Sequence, residues 1–193
     1  ELIEAEFKPW FRAPLDRQVR FLDLCTGSGC LGITLALSVA ESTGVLADLE
    51  AGACEVAQEN VEFHQASDRV EVIQSDGFNE LFDERFDLII CNPPYVDAEE
   101  MAELPPEYQK EPAVALASGE DGLDLVRRLL GQAADWLSDE GIMILEVGNT
   151  WGLLDREVVA RTGEPVQWCQ FEFGGHGVCV LSKRELNALY SAF

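Results

Sequence analysis

Residues 23–32 read Asp23-Leu24-Cys25-Thr26-Gly27-Ser28-Gly29-Cys30-Leu31-Gly32, and this decapeptide decides the fold. Arg20–Cys25 leads into it as a strand, and Cys30–Glu41 leads out as a helix. Between them Gly27 and Gly29 permit a tight turn, and the missing side chains let a backbone approach a cofactor closely. The decapeptide is thus a strand-to-helix junction with a glycine loop at its apex.

Outward from that junction, strand and helix patterns alternate. Gly44–Asp48 reads as a second strand and Ala51–His64 as a second helix. Arg69–Ile73 and Phe86–Cys91 follow as strands three and four. Gly122–Leu137 carries apolar residues at helical spacing, Gly141–Val147 is a strand that is apolar but for Glu146, and Trp151–Arg161 is a helix. Val166–Phe173 and Gly177–Ser182, split by Gly174-Gly175, read as a closing hairpin. Alternation of this kind predicts an α/β fold, a doubly wound and mostly parallel sheet with helices on both faces. In such sheets ligands bind at the carboxyl ends of the strands. Residues 97–120 form a long acidic connection containing prolines, a length that in a compact domain points to a functional loop. Residues 1–19, with Trp10 and Phe11 as candidate anchors, are expected to be a lead-in left from a linker to a helical domain. Residues 20–193 are expected to form the catalytic domain.

Composition narrows the partners. The 193 residues hold 13 basic and 36 acidic side chains, for a formal net charge of −23. That field repels phosphate backbones and favours a basic partner, although an acidic surface also serves solubility alone. The six cysteines (25, 30, 54, 91, 169 and 179) show no metal-ligand spacing, and several lie in apolar runs. They read as reduced, buried thiols of a cytoplasmic protein with no metal. No stretch is long and apolar enough to span a membrane.

Three constellations carry the chemistry. The first is the glycine loop with Asp48, about 20 residues on at the end of the next strand, where a carboxylate can accept both hydroxyls of a ribose. Gly27-x-Gly29-x-x-Gly32 also fits the dinucleotide fingerprint, so a nicotinamide oxidoreductase competes on this motif alone. Two acids turn the choice toward S-adenosylmethionine. Asp23 precedes the loop, where it can meet an ammonium through water or backbone. Asp76, in Gln74-Ser75-Asp76-Gly77, follows the third strand, where an acid can accept from an adenine amino group or serve as a turn or cap aspartate. The candidate cofactor residues are therefore Asp23, Cys25, Thr26, Gly27, Ser28, Gly29, Asp48, Leu49, Asp76, Gly77 and Asn92.

The second constellation is Asn92-Pro93-Pro94-Tyr95, at the exit of the fourth strand. A residue before proline is held extended, and prolines lack an N–H. The turn therefore offers carbonyl acceptors, plus the Asn92 side-chain oxygen, with almost no competing donors. Such a site suits a planar –NH2 group whose two hydrogens both need acceptors, and Tyr95 can lie flat against it. The third, Glu146-Val147-Gly148, ends the next strand; Glu146 either lines the site or is a strand-end acid. His64 and His176 have no nucleophile or carboxylate arranged around them.

With these residues placed, the chain resembles the class I S-adenosylmethionine-dependent methyltransferases, and more narrowly the protein-glutamine N(5)-methyltransferases. The stretches Asn92–Ala98 and Glu111–Asp124 carry the narrower likeness, closest in kind to the enzymes acting on a large-subunit ribosomal protein. The resemblance implies a seven-stranded sheet with an antiparallel last strand. It implies cofactor contacts at Thr26, Gly27, Gly29, Asp48, Asp76 or Gly77, and Asn92, with Asn92 through Tyr95 holding the substrate glutamine. Family members also have a helical N-terminal domain, and often a glycine where this loop has Cys25. The same site logic serves a release-factor glutamine methyltransferase, or an adenine-specific DNA methyltransferase acting on another planar –NH2. The acidity of the chain disfavours the DNA partner and matches a basic ribosomal protein.

Overall fold

Strand β1 (Val19–Leu24) is buried along its length except at Arg20, because it lies between neighbours on both edges and under helices on both faces. The computed structural model describes residues 1, 2, 5, 7, 18–94, 121–172 and 175–190. Within them β1, β2 (Ser42–Asp48), β3 (Val70–Gln74), β4 (Phe86–Cys91), β5 (Leu137–Glu146) and β6 (Val178–Ser182) form one sheet in the order β3-β2-β1-β4-β5-β6. The first five strands run parallel and β6 pairs antiparallel with β5.

Alternation along each strand divides the core in two. Leu22, Leu24, Ile89, Cys91, Met143, Leu145, Cys179 and Leu181 face one side. There they meet α3 (Asp124–Trp136), α4 (Trp151–Thr162) and α5 (Lys183–Tyr190) through Leu129, Leu154, Leu186 and their neighbours. Phe21, Leu88, Ile90, Ile142, Ile144 and Val180 face the other side, against α1 (Cys30–Ser38) and α2 (Ala51–Phe63). Trp136 stacks on Phe78 with centroids 5.5 Å apart, and Trp151 meets Trp168 edge-on. Arg127 on α3 donates to Asp121 and Glu157, both at 2.5 Å, and to Asp124 at 2.9 Å, so one guanidinium ties the entry of α3 to α4.

The expected α/β architecture is present, with differences. The sheet has six strands among the described residues rather than seven. The stretch read as a strand at 166–173 keeps only a bridge between Trp168 and Cys179, with the Cys169 N–H donating to the Val178 carbonyl. Pro165 starts that stretch without a donor, and Asp155 takes the Val166 N–H and the Trp168 indole N–H, both at 3.0 Å. Side-chain bonds thus replace a ladder. The apolar strand predicted at 141–147 begins earlier, at Leu137. The helix α5 was not anticipated. It starts from a reciprocal cap in which the Glu185 carboxylate accepts from the Ser182 N–H at 2.7 Å and the Ser182 hydroxyl accepts from the Glu185 N–H at 3.3 Å. All described cysteines are free thiols, but only Cys91, Cys169 and Cys179 are buried; Cys25 and Cys54 are half-buried and Cys30 is exposed. Trp10, Phe11 and the 97–120 connection lie outside the described residues. No helix among the described residues is long and apolar enough to cross a membrane.

Candidate functional site

The strand order reverses at β1, which has β2 on one side and β4 on the other. Their carboxyl ends diverge there into the glycine loop and the Asn92-Pro93-Pro94 turn, leaving a crevice at the topological switch point. In the β1–β4 register Leu24 pairs with Cys91, so the loop and the turn begin side by side.

Asp23 builds the loop. Its side chain is 1% exposed, and Oδ2 accepts from the Thr26 hydroxyl at 2.7 Å and the Gly32 N–H at 2.9 Å. Burial pushes its carboxyl up to about 6, against those two hydrogen bonds. The carboxylate thus faces inward and staples the loop to α1. Gly32 is required by this approach, since a Cβ there would lie 3.0 Å from Asp23 Oδ2 and 2.8 Å from Leu46 Cδ1. Gly29 caps α1 in the left-handed conformation at φ 82°. Cys25 holds φ 56° without being glycine, a conformation that non-glycine residues adopt at a cost. Ser28 is exposed, and its carbonyl accepts from Asn60 at 2.8 Å.

Asp48, at the end of β2, bridges two loops. Oδ2 accepts from the Gly27 N–H at 2.9 Å, and Oδ1 accepts from the Glu50 N–H at 3.0 Å. Each oxygen keeps a second lone pair. Leu49 beside it is 47% exposed, an apolar surface at the crevice. At the end of β3, Asp76 forms a two-pronged ion pair with Arg128 of α3, with Arg128 Nη1 to Asp76 Oδ2 at 2.8 Å. The guanidinium holds the Asp76 carboxyl below the usual range. Gly77 follows at φ 61°, where a Cβ would come 3.1 Å from Leu129. The cofactor residues named from sequence therefore lie along the ends of four neighbouring strands.

At the end of β4, Asn92 is exposed, Pro93 buried and Pro94 half-buried; Tyr95 lies outside the described residues. Beside Asn92 opens a cavity of ≈ 230 Å³ with apolar walls from Leu31, Ile90, Ile144, Phe171 and Val178. Its polar side chains include Asn92 and Glu146. His64 and His176 are both exposed, and His176 bonds Asn149 at 3.0 Å. No group of metal-binding side chains occurs among the described residues.

Sequence reasoning missed Arg128 and the apolar wall formed by Leu31, Phe171 and Val178. The wall was unreadable because it joins α1, the 166–173 stretch and β6, which meet only in the folded sheet. Arg128 carried a signal, as one of two adjacent arginines on an amphipathic helix in an acid-rich chain.

Residues 11–106 match the family model described as the methyltransferase small domain. The chain is 41% identical over 194 residues to the ribosomal protein uL3 glutamine methyltransferase of Francisella tularensis, covering 100% of this chain and 60% of the relative. It is 45% identical over 187 residues to the protein of the same name from Bordetella pertussis, covering 97% and 61%. The chain thus spans about 60% of the length of these curated relatives. Among solved structures, a ribosomal protein L11 methylase from Lactobacillus delbrueckii subsp. bulgaricus superposes with a TM-score of 0.60 at 16% identity, over 94% of this chain and 76% of that one. An S-adenosylmethionine-dependent methyltransferase in its apo form gives 0.56 at 18% identity, over 93% and 55%. The structural likenesses carry the fold, and in sequence the chain is similar along nearly its whole length to the ribosomal protein uL3 glutamine methyltransferases.

Proposed function

We propose that the protein containing this chain transfers a methyl group from S-adenosylmethionine to the side-chain amide nitrogen of a glutamine in a large-subunit ribosomal protein. The observation that carries this reading is the donor-poor Asn92-Pro93 turn set in register beside the glycine loop. The names of the sequence relatives supply the substrate. The net charge of −23 suits a basic protein partner and opposes DNA. The reaction belongs to a cytoplasmic protein.

The residues fit the cofactor. Nothing lies within 4 Å of a Cβ built on Gly27, so the outer face of the loop is open to a ligand. Asp48 keeps lone pairs for a ribose diol, and exposed Leu49 offers an apolar face to a purine. Asp76 or the Gly77 backbone recognises the adenine edge. Thr26, Gly27 and Gly29 shape the bed for the amino-acid end, with Cys25 and Ser28 completing the loop. Asp23 acts from beneath by fixing Thr26 and Gly32. When bound, the cofactor supplies an electrophilic methyl on a sulfonium.

An amide nitrogen is a poor nucleophile because its lone pair is delocalised into the carbonyl. Asn92 Oδ1 and the Pro93 carbonyl accept its two N–H groups and orient the nitrogen toward the crevice. These acceptors are preorganised by the proline backbone, so they stabilise positive charge growing on nitrogen without rearranging. Pro94 stiffens the turn, and Tyr95, outside the described residues, is the side chain that the motif offers for shielding the amide from water.

The test is mass spectrometry of a large-subunit ribosomal protein, a release factor and adenine-containing DNA after incubation with the full-length protein and labelled cofactor. One added methyl on a glutamine of the ribosomal protein is expected. Label confined to the release factor reassigns the substrate, and label confined to DNA refutes the reading. Asn92→Ala should lower turnover about 100-fold while leaving cofactor affinity within a factor of a few. Equal losses in both would remove Asn92 from the chemistry.

A further inference from the structure

We propose that Glu146 is a catalytic residue of this site, the carboxylate that stabilises the charge on the amide nitrogen and receives its proton. The inference rests on the glutamine-methylation reading and supplies the proton acceptor that the Asn92–Tyr95 turn lacks.

The sheet places Glu146 beside Asn92. Cys91 of β4 pairs with Leu145 of β5, so the next residue on each parallel strand is Asn92 and Glu146. Adjacent strands lie about 4.8 Å apart, and residues in register on parallel strands share a face. Along β4 that face carries Leu88, Ile90 and then Asn92; along β5 it carries Ile142, Ile144 and then Glu146. Both polar side chains line the same apolar cavity, so the geometry does not depend on the alternation alone.

The environment suits the role. The Glu146 side chain has no hydrogen bond or ion pair among the described residues, unlike Asp23, Asp48 and Asp76, each of which is committed to a structural partner. Apolar walls at Ile90, Ile144 and Val178 keep the local dielectric low, where a carboxylate acts on a nearby positive charge more strongly than it would in water. The other titratable groups lining the cavity are Glu1, which accepts from the Glu172 N–H at 3.1 Å, and Cys91. Its neighbour Cys25, together with burial, pushes the Cys91 thiol up, which keeps it neutral. His176 lies past the following turn and bonds Asn149.

The balance is simple. The amide nitrogen forms a bond to the methyl carbon as the carbon–sulfur bond breaks, with that bonding pair retained by sulfur. One N–H proton then passes to a Glu146 oxygen, which returns it to solvent, leaving a neutral secondary amide. Asn92 holds the amide plane and Glu146 answers the charge.

The test uses the full-length protein with two peptides. One carries the target glutamine, and the other replaces its amide by an amidine, a cation of the same shape. Binding is measured with the demethylated cofactor product present, so turnover plays no part. The wild type is expected to bind the amidinium peptide at least ~10-fold more tightly, and Glu146→Gln to lose that preference while keeping the amide peptide. Glu146→Asp should retain part of it. In turnover, Glu146→Gln should fall roughly 100-fold with unchanged cofactor affinity. A preference that survives Glu146→Gln, or an undiminished turnover rate, overturns the assignment. A wild type that binds the cation preferentially yet methylates no glutamine separates failure of the functional reading from failure of this one.

Discussion

Replacing Asp23 by asparagine should change how stability depends on pH in a way no other carboxylate among the described residues would. The wild-type carboxyl is almost fully buried and is raised to about 6, from 3.8 for the free group. A raised acid is protonated in the folded state at a pH where the unfolded chain has already lost the proton. Between about pH 4 and 6 the native state therefore binds the extra proton, and stability falls as pH rises. At ~1.4 kcal/mol per pH unit the displacement amounts to roughly 3 kcal/mol. Above pH 6 the carboxylate is ionised in both states and the effect is constant. The Asp23→Asn variant carries no titratable proton at this position, and its side-chain amide oxygen can still accept from Thr26 and Gly32. The assay is urea unfolding of both proteins from pH 4 to 8, taken as the difference between them so that carboxylates common to both cancel. Relative to Asp23→Asn, the wild type should lose about 3 kcal/mol between pH 4 and 6 and then level off. A difference that is flat across that window would refute the argument that desolvation governs Asp23.

Three further outcomes follow from local geometry. Gly32→Ala places a methyl against Asp23 and Leu46, and should destabilise by ~1–3 kcal/mol in urea while weakening cofactor binding, because Asp23 must shift. Arg127→Ala should cost roughly 1–2 kcal/mol after allowance for partial exposure, and Arg127→Lys should recover little of it, since an ammonium cannot fork between Asp121 and Glu157. Arg127 also holds the Asp121 carboxyl low, so its stabilisation is present above the ordinary aspartate range and lost as pH falls through the depressed value. Removing Arg127 should therefore flatten the acid limb of the unfolding curve. Ser182→Ala breaks the reciprocal cap of α5 and should cost ~1 kcal/mol, seen as a lower urea midpoint with an unchanged slope.

What the sequence made legible was periodic or positional. The strand from Phe86 to Cys91 is apolar but for Asp87 and ends at a proline turn, and its limits match the structure. The glycine loop and Asp48 were readable because their spacing is set by one strand–helix–strand unit. The stretch from Val166 misled because its apolar and aromatic residues satisfy a strand pattern, while Pro165 and the Asp155 carboxylate satisfy its backbone another way. The final helix carried a signal in Ser182 and Glu185 at capping-box spacing, but at eight residues it is too short for its periodicity to stand out after the apolar run Val178–Leu181. Asp76 shows a different limit. The acid was visible, but its partner Arg128 lies 52 residues away and is brought near only by the packing of α3.

The central position of β1 also bears on when the site comes into being. Its pairing with β2 joins residues close in sequence, whereas its pairing with β4 joins Phe21 to Leu88 and Leu24 to Cys91 across most of the first half of the chain. Closing the longer loop is the slower, entropically dearer event. A nascent β1-β2-β3 segment would already own the glycine turn and Asp48, but no crevice. Ligand capture should therefore mark the moment at which the two halves of the sheet meet, and it should report completed assembly rather than early structure.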